Sequence, residues 1–276
     1  MEKKTISLNV PYEKAGLDPD GCGAELDMYT VGRYENIEMK SHPAVVICPG
    51  GGYEYCSVRE AEPVALRFAA FGINAFVLRY SCINKMFPTA LLEAAQAVAY
   101  VRKNAAELGT DPDKIMICGF SAGGHLAGSL AVHWKKGFIT DALGGDSSLY
   151  KPNGAVLCYP VITSGEKRHD GSIVNIVGAE RPEDKLELVS LEKQVTEDVP
   201  PVFLWHTADD GCVPVENTLL FASALAEKHI PFACHIFEKG VHGLSLCDDC
   251  TAGYEGHINP DCGRWFQMAV DWIKSR

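Results

Sequence analysis

Short apolar runs recur along the chain and alternate with longer stretches of helical pattern. Six runs have the length of buried strands: Ala44–Cys48, Asn74–Leu78, Lys114–Cys118, Gly154–Cys158, Val202–Trp205 and Phe232–Phe237. All except the last are nearly continuous, which is typical of a parallel sheet covered on both faces. Helical patterns lie between or after them, at Glu60–Ala70, Ala90–Leu108, Ala122–Trp134, Glu216–Lys228 and Arg264–Lys274. The alternation predicts an α/β fold with a mostly parallel central sheet and helices on both faces.

Two segments depart from this alternation. The residues before Ala44 predict antiparallel edge strands, for example Thr5–Val10. The polar stretch Thr163–Val199 is too long for a simple connection, and within it Glu180–Leu188 favours a short helix. In this architecture such an insertion lies over the carboxyl ends of the strands, where ligands bind. Because the 276 residues contain no internal repeat or low-complexity linker, we expect residues 1–276 to form one domain.

The charge balance argues against two classes of partner. The formal net charge is −11, and the densest basic stretch is Lys135-Lys136. Such a chain is a poor match for nucleic acid or an anionic membrane. It has no run of about 18 apolar residues, and no apolar segment follows the basic residues at its start. We therefore expect a cytoplasmic protein with a small-molecule partner, and homo-oligomerisation stays open.

The chain contains eleven cysteines, so a complete set of internal disulfides is impossible. Four of them lie inside apolar runs, as reduced thiols of a cytosolic protein do: Cys48, Cys118, Cys158 and Cys234. A late cluster has the residue types of a tetrahedral zinc site: Cys247, Cys250, His257 and Cys262. Its loose spacing favours ordinary reduced thiols, with zinc or a disulfide as alternatives. No metal or organic cofactor is expected.

The segment Gly119–His125 (GFSAGGH) follows the Lys114–Cys118 strand and opens the next helical pattern. A Gly-x-Ser-x-Gly string is a weak signal alone, but between a strand and a helix it is typical of a nucleophile elbow. The sharp turn strains the serine and crowds its neighbours, so glycine must flank it. The pattern predicts Ser121 as a nucleophile at a helix N-terminus, with a plain glycine-rich turn as the alternative.

A second glycine-rich loop, Pro49–Tyr53, directly follows the Ala44–Cys48 strand. Glycines let backbone N–H groups point into a cavity, as an acyl-transfer enzyme requires for its oxyanion. We expect the donors to be the N–H groups of Gly51, Gly52 and Ala122. A phosphate-binding loop is disfavoured because no Gly-Lys-Ser/Thr follows, and a plain loop remains the alternative.

A base and an orienting acid are available after the last two strands. His242 lies between glycines after Phe232–Phe237, and the adjacent Asp209 and Asp210 follow Val202–Trp205. The chain order of serine, acid and histidine is the order expected on this architecture. Only one of the two aspartates can orient the imidazole.

Several segments together resemble one family: Cys48–Tyr53 (CPGGGY), Ser57–Ala65, Gly119–Ala127, Cys158–Glu166, Pro200–Asn217 and Gly240–Leu246. They make the chain similar to α/β-hydrolase fold esterases and lipases, and more narrowly to bacterial carbohydrate acetyl esterases related to acetylxylan esterases. The resemblance implies the α/β-hydrolase fold and deacetylation of sugars by Ser121, Asp210 and His242. It selects Asp210 because the family's Asp-x-x-Val-Pro string aligns there. Pro49, where many esterases of the broader class have histidine, counts against a lipase-like enzyme.

The expected activity is hydrolysis of acetyl or other short-acyl esters of sugars, such as acetylated xylo- or manno-oligosaccharides. A broader carboxylesterase or a serine peptidase is the alternative, and a non-catalytic binding protein is a third. Beside the motifs, Tyr53, His125 and Trp205 are expected to line the substrate pocket, with core positions as the alternative. We expect His206 to be structural. We expect Arg59, Glu60 and Glu62 to lie at a helix N-terminus, with their charges either solvated or paired in salt bridges.

Overall fold

Eight strands form one sheet in the computed structural model, which describes residues 3–32, 36 and 41–276. They are β1 (Lys3–Ser7), β2 (Glu25–Tyr29), β3 (His42–Cys48), β4 (Asn74–Arg79), β5 (Thr110–Phe120), β6 (Gly154–Cys158), β7 (Val202–Thr207) and β8 (Phe232–Phe237). Their spatial order is β1-β2-β4-β3-β5-β6-β7-β8. Strands β3 to β8 are mutually parallel, and β2 is antiparallel to both of its neighbours. The predicted mostly parallel sheet with an antiparallel edge is confirmed.

Helices cover both faces of this sheet. They are α1 (Glu62–Ala70), α2 (Thr89–Lys103), α3 (Ala105–Leu108), α4 (Ala122–His133), α5 (Gly137–Leu143), α6 (Asp170–Val177), α7 (Glu183–Val189), α8 (Glu216–Glu227) and α9 (Pro260–Lys274). Buried residues of α1 and α9 belong to one core, and those of α2, α4 and α8 belong to the other. The expectation of an α/β fold with helices on both faces is therefore confirmed.

Each central strand contributes to both cores, which explains its continuous apolar sequence. In β7, Val202 and Leu204 belong to the core beneath α2, α4 and α8. Their neighbours Phe203 and Trp205 belong to the core beneath α1 and α9. Successive side chains of a strand point to opposite faces, so a strand covered on both sides needs apolar residues at every position. Strand β8 is less continuous because it forms the edge, where Phe232 and Ile236 are exposed.

Some element boundaries differ from the sequence-based expectation. The helix predicted over Ala90–Leu108 is interrupted at Asn104, whose side-chain amide donates to the carbonyl of Tyr100. The last helix begins at Pro260, four positions before the predicted start at Arg264, because the Asn259 side chain accepts the N–H of Cys262 and caps it.

The insertion between β6 and β7 is more ordered than its polar sequence indicates. It contains α6 and α7, and α7 corresponds to the short helix predicted there. Two buried histidines of α4 hold the end of α7: His125 Nε2 lies 2.8 Å from the carbonyl oxygen of Val189, and His133 Nε2 lies 2.9 Å from that of Leu188. The insertion is thus fastened to the helix that begins at Ser121.

Candidate active site

Ser121 occupies the sharp turn between β5 and α4. Its backbone lies at φ 54° and ψ −118°, in the left-handed range of φ that non-glycine residues avoid. A Cβ atom at Gly119 would collide with the backbone of Gly123, and one at Gly123 would collide with the carbonyl oxygen of Cys48. The turn therefore requires glycine on both sides of the serine, for the steric reason that the motif predicts.

A chain of hydrogen bonds connects Ser121 to Asp210 through His242. The Ser121 Oγ lies 2.8 Å from Nε2 of His242, and Nδ1 of His242 lies 2.7 Å from Oδ2 of Asp210. The second carboxylate oxygen of Asp210 accepts the N–H groups of Cys212 and Val213. Because Nδ1 donates its proton to the carboxylate, Nε2 is left as the acceptor for the serine hydroxyl. This is the geometry of a general base held in one tautomer.

The two adjacent aspartates lie in different environments. Asp210 is buried beneath His242, whereas Asp209 is exposed and its carboxylate accepts the N–H of Gly240 at 2.7 Å. Burial alone would raise the pKa of Asp210, but the hydrogen bonds from His206 and His242 outweigh it and hold that pKa well below its usual range. Asp210 therefore stays ionised and keeps its attraction for the imidazole.

His206, which the sequence predicts to be structural, contacts the same carboxylate. Its Nε2 lies 3.2 Å from Oδ2 of Asp210 and 3.0 Å from the carbonyl oxygen of Val213, so this nitrogen carries the proton. The other nitrogen, Nδ1, lies 2.8 Å from the hydroxyl of Thr218 on α8. The position of His206 near the end of β7, four residues before Asp210, was the available signal.

The glycine-rich loop after β3 lies beside the serine. Gly51 and Gly52 both have positive φ, of 123° and 65°, and Gly51 is packed against the backbone of Tyr55. The N–H groups of Gly51, Gly52 and Ala122 donate no hydrogen bond to the described part of the chain. Gly51 and Gly52 line the pocket together with Ser121, and Ala122 follows Ser121 as the first residue of α4.

A buried carboxylate braces this loop. Glu60 Oε2 accepts the N–H of Gly50 at 2.8 Å, while its Oε1 accepts the hydroxyl of Tyr159 at 2.6 Å. The Tyr159 hydroxyl in turn accepts the N–H of Ser245, and its ring meets that of His242 edge-on at 5.1 Å. The expectation of a solvated or paired charge at Glu60 is therefore wrong, because the side chain is buried between the glycine loop and the loop that carries His242.

The neighbouring charges have other partners. Glu62 is exposed and pairs with Lys3, as expected of a charge at the start of α1. Arg59 donates from Nε to the carbonyl oxygen of Thr251 and lies on the wall of the pocket. It thus fastens the start of α1 to the loop before α9.

A cavity of about 360 Å³ opens above Ser121. It is lined by Ser121, His242 and the two loop glycines, together with Glu54, Tyr55, Ser57, Arg59, Glu60, His169, Cys212 and Gly243. None of the described residues that line it carries an aliphatic side chain. Sequence patterns do not identify Tyr55 and His169, because loop residues show no periodicity that indicates the direction of their side chains.

The three residues expected to line this pocket lie in the interior instead. His125 is buried, and burial lowers its pKa to about 4, so it is neutral and accepts the Tyr53 hydroxyl at 2.8 Å. Trp205 is fully buried and stacks on Trp265, with ring centroids 5.3 Å apart. We therefore correct the expectation for Tyr53, His125 and Trp205. Closeness to a motif in sequence did not show which way each side chain points.

The late cysteine cluster is not assembled as a ligand set. The group of potential ligands found within the described residues is Asp248, Asp249 and Cys250, in a surface loop. Cys247 and Cys262 each donate to a backbone carbonyl, and His257 accepts the N–H of Gly253. All eleven cysteines are free thiols. This arrangement of side chains forms neither the zinc site nor the disulfide that were the alternatives to reduced thiols.

Among the helices that the structure describes, none is both long enough and apolar enough to cross a membrane. The strand order, the strained serine turn and the Ser121–His242–Asp210 hydrogen bonds define the class of protein as an α/β hydrolase.

Comparison with known proteins narrows this class. The BD-FAE family pattern matches residues 26–225, and the chain belongs to that family. It is 44% identical over 217 residues to endo-1,4-beta-xylanase B of Butyrivibrio fibrisolvens, across 77% of this chain and 34% of that protein. It is 28% identical over 238 residues to an acetylxylan esterase of Xylanibacter ruminicola, across 83% of this chain and 46% of that protein. The chain thus spans less than half the length of either relative.

Among solved structures, an acetyl ester-xyloside bifunctional hydrolase from Caldicellulosiruptor lactoaceticus superposes with a TM-score of 0.85. The identity is 36%, and the match covers 99% of this chain and 96% of that one. Other relatives and structural neighbours are named esterases or carboxylesterases. The predicted resemblance to α/β-hydrolase fold esterases is confirmed.

Proposed function

We propose that this protein removes acetyl groups from sugars, with Ser121 as nucleophile, His242 as base and Asp210 as the acid that orients it. The observation that carries the proposal is the continuous hydrogen-bond chain from the Ser121 hydroxyl through His242 to a buried, ionised Asp210. It ends at a serine that faces the pocket, beside three backbone N–H groups without partners among the described residues.

The reaction follows from this geometry. His242 takes the proton of Ser121 as its Oγ attacks the acetyl carbonyl, and the N–H groups of Gly51, Gly52 and Ala122 stabilise the oxyanion. The protonated imidazole then gives its proton to the departing sugar oxygen, which leaves an acetyl group on the serine. Water, deprotonated by the same imidazole, attacks this ester and releases acetate.

The pocket supports a short acyl group on a polar alcohol. Its described lining has no aliphatic side chain, so a long acyl chain would gain little from burial there. A volume of about 360 Å³ is at the small end of ligand sites. The names of the relatives, an acetylxylan esterase and a xylanase, support an acetylated xylo-oligosaccharide, with a manno-oligosaccharide as the alternative sugar.

We also propose that the enzyme acts in the cytoplasm. Its eleven cysteines are all free thiols, which suits a reducing compartment. The substrates would then be imported oligosaccharides, a class of small molecule that the net charge of −11 does not repel.

The proposal is tested by acetate release from acetylated xylo- and manno-oligosaccharides, measured beside longer acyl esters and peptides. We expect Ser121→Ala to abolish acetate release and labelling by a fluorophosphonate while the circular dichroism spectrum is unchanged. Ser275→Ala, an exposed serine at the end of α9, is the control and should retain both. Faster cleavage of octanoyl esters or peptides than of acetylated sugars would replace the proposed substrate class. Residual acetate release by pure Ser121→Ala would refute the nucleophile.

A further inference from the structure

Several side chains on the pocket wall have no part in the mechanism above, and two of them carry rings. His169 comes from the insertion, directly before α6, and Tyr55 comes from the segment that follows the glycine loop. The insertion is tied to this loop, because the Asn175 amide donates to the carbonyl oxygen of Gly52 at 2.9 Å. The same contact fixes α6 beside the glycine loop.

The tautomer of His169 is determined by the helix that it caps. Its Nδ1 accepts the backbone N–H of Ser172 at 3.2 Å and lies 2.8 Å from the Ser172 hydroxyl. The ring proton is therefore on Nε2, which has no hydrogen-bond partner among the described residues. Burial and the neighbouring His242 both lower the pKa of His169, which favours the neutral ring. His169 thus offers the pocket one fixed N–H donor and no second base.

Tyr55 offers an aromatic ring at the mouth of the same pocket. The residue is 61% exposed, and a Cβ placed on Gly51 would lie 3.1 Å from its ring. The ring therefore rests beside the oxyanion loop and leaves much of its surface to solvent. Tyr254 is similarly exposed, at 57%, but its ring packs on His257 and does not line the pocket.

We propose that His169 and Tyr55 form the subsite for the alcohol part of the ester, and that this subsite recognises a pyranose ring. An aromatic surface suits the C–H face of a sugar, and a fixed N–H donor suits a sugar hydroxyl or ring oxygen. A simple alkyl alcohol would gain from neither interaction to the same extent. The inference rests on the proposed function, since it names the residues by which that site selects a sugar ester.

The test compares acetate release from acetylated xylobiose with acetate release from ethyl acetate, which has no sugar. In His169→Ser the serine hydroxyl can still cap α6, but the pocket donor is lost. We expect the ratio of kcat/KM for the sugar ester to kcat/KM for ethyl acetate to fall about tenfold. For Tyr55→Ala we expect the same ratio to fall roughly threefold to tenfold, mainly through a higher KM for the sugar ester. Tyr55→Phe keeps the aromatic ring and should therefore keep the wild-type ratio.

The matched controls are Tyr254→Ala and His229→Asn, an exposed histidine in the turn after α8, and both should keep the wild-type ratio. Equal losses on the two esters, or no loss, would overturn the subsite, because damage to folding or to the triad lowers both rates together. A wild-type enzyme that cleaves ethyl acetate but not acetylated xylobiose would instead refute the proposed sugar substrate, and the subsite with it.

Discussion

Asp210 accepts hydrogen bonds from four donors, two of them histidines and two of them backbone N–H groups. Removing a buried acceptor that several groups share leaves each of those donors unsatisfied. This concentration of donors on one carboxylate explains why Asp210, and not its neighbour Asp209, is suited to orient the imidazole.

The first prediction compares the two aspartates. Asp210→Asn presents an amide where His242 Nδ1 donates and favours the wrong tautomer, so we expect kcat to fall by about 10⁴-fold, as in other Ser–His–Asp enzymes. Asp209→Asn keeps an oxygen for the N–H of Gly240, so we expect a change of less than about tenfold. Steady-state acetate release by both variants is the measurement. A larger loss in Asp209→Asn would reassign the acid.

The second prediction concerns His206. Because its Nε2–H contacts Asp210 and not the pocket, we expect His206→Asn to lower kcat by about tenfold while KM stays near the wild-type value. In an Asp210→Asn background the same substitution should cost much less, because the interaction that it removes has already been changed. Steady-state kinetics of the four proteins in this cycle are the measurement. Additive losses would show that His206 acts on stability alone.

The residues that carry the chemistry were easier to predict from the sequence than the residues that surround them. Ser121 and the glycine loop are predictable because a strained turn and close backbone approach admit few residue types. Tyr53 and Trp205 were misjudged for a physical reason, since a side chain's direction depends on strand register and loop conformation. His169 could not be found because its role depends on a helix cap that only the folded insertion forms.

At the scale of elements, the parallel strands were predictable from their apolar runs and α7 from its helical pattern, whereas α6 was not. The eight residues of α6 are too few for a clear amphipathic pattern. Tertiary contacts stabilise the insertion, including those from His125 and His133 on α4 to the carbonyl groups at the end of α7. Two buried imidazoles therefore contribute to the attachment of the insertion, in addition to the Asn175–Gly52 hydrogen bond.

The third prediction is that acid weakens the fold through these histidines. Burial lowers the pKa of both His125 and His133 to about 4, from an ordinary value of 6.5. Between pH 6.5 and 4 the unfolded chain binds more protons than the folded one, so the free energy of unfolding falls as the pH is lowered through this window. Each histidine contributes up to about 3 kcal/mol of this fall.

Urea unfolding at pH 7, 6 and 5 measures the effect. His133→Gln keeps a donor for the carbonyl of Leu188 but does not titrate, so the fall in unfolding free energy from pH 7 to pH 5 should be smaller than in the wild type. His229→Gln, which changes an exposed histidine, should leave the pH dependence unchanged. Parallel curves for the wild type and His133→Gln would contradict the assignment.

At the scale of the whole molecule, one sheet separates two cores and belongs to both. One core extends along the chain from Leu8 to Ile230 and the other from Tyr29 to Ile273. Every central strand contributes alternate side chains to each of them. If either layer of helices detached, one face of the strands would be exposed to water while the other layer still covered the opposite face. The two cores therefore depend on the same strands.

The fourth prediction is therefore that the chain unfolds as one domain. Three of the four tryptophans, Trp205, Trp265 and Trp272, lie in the core beneath α1 and α9, whereas Trp134 lies in the other core. In Trp134→Phe the fluorescence reports one core alone, while far-UV circular dichroism reports helices of both layers. We expect the two signals to give coincident urea transitions with the same midpoint and slope. If the fluorescence changed at a lower urea concentration than the circular dichroism, the α1 and α9 layer would be unfolding separately. The shared strands would then not couple the two cores.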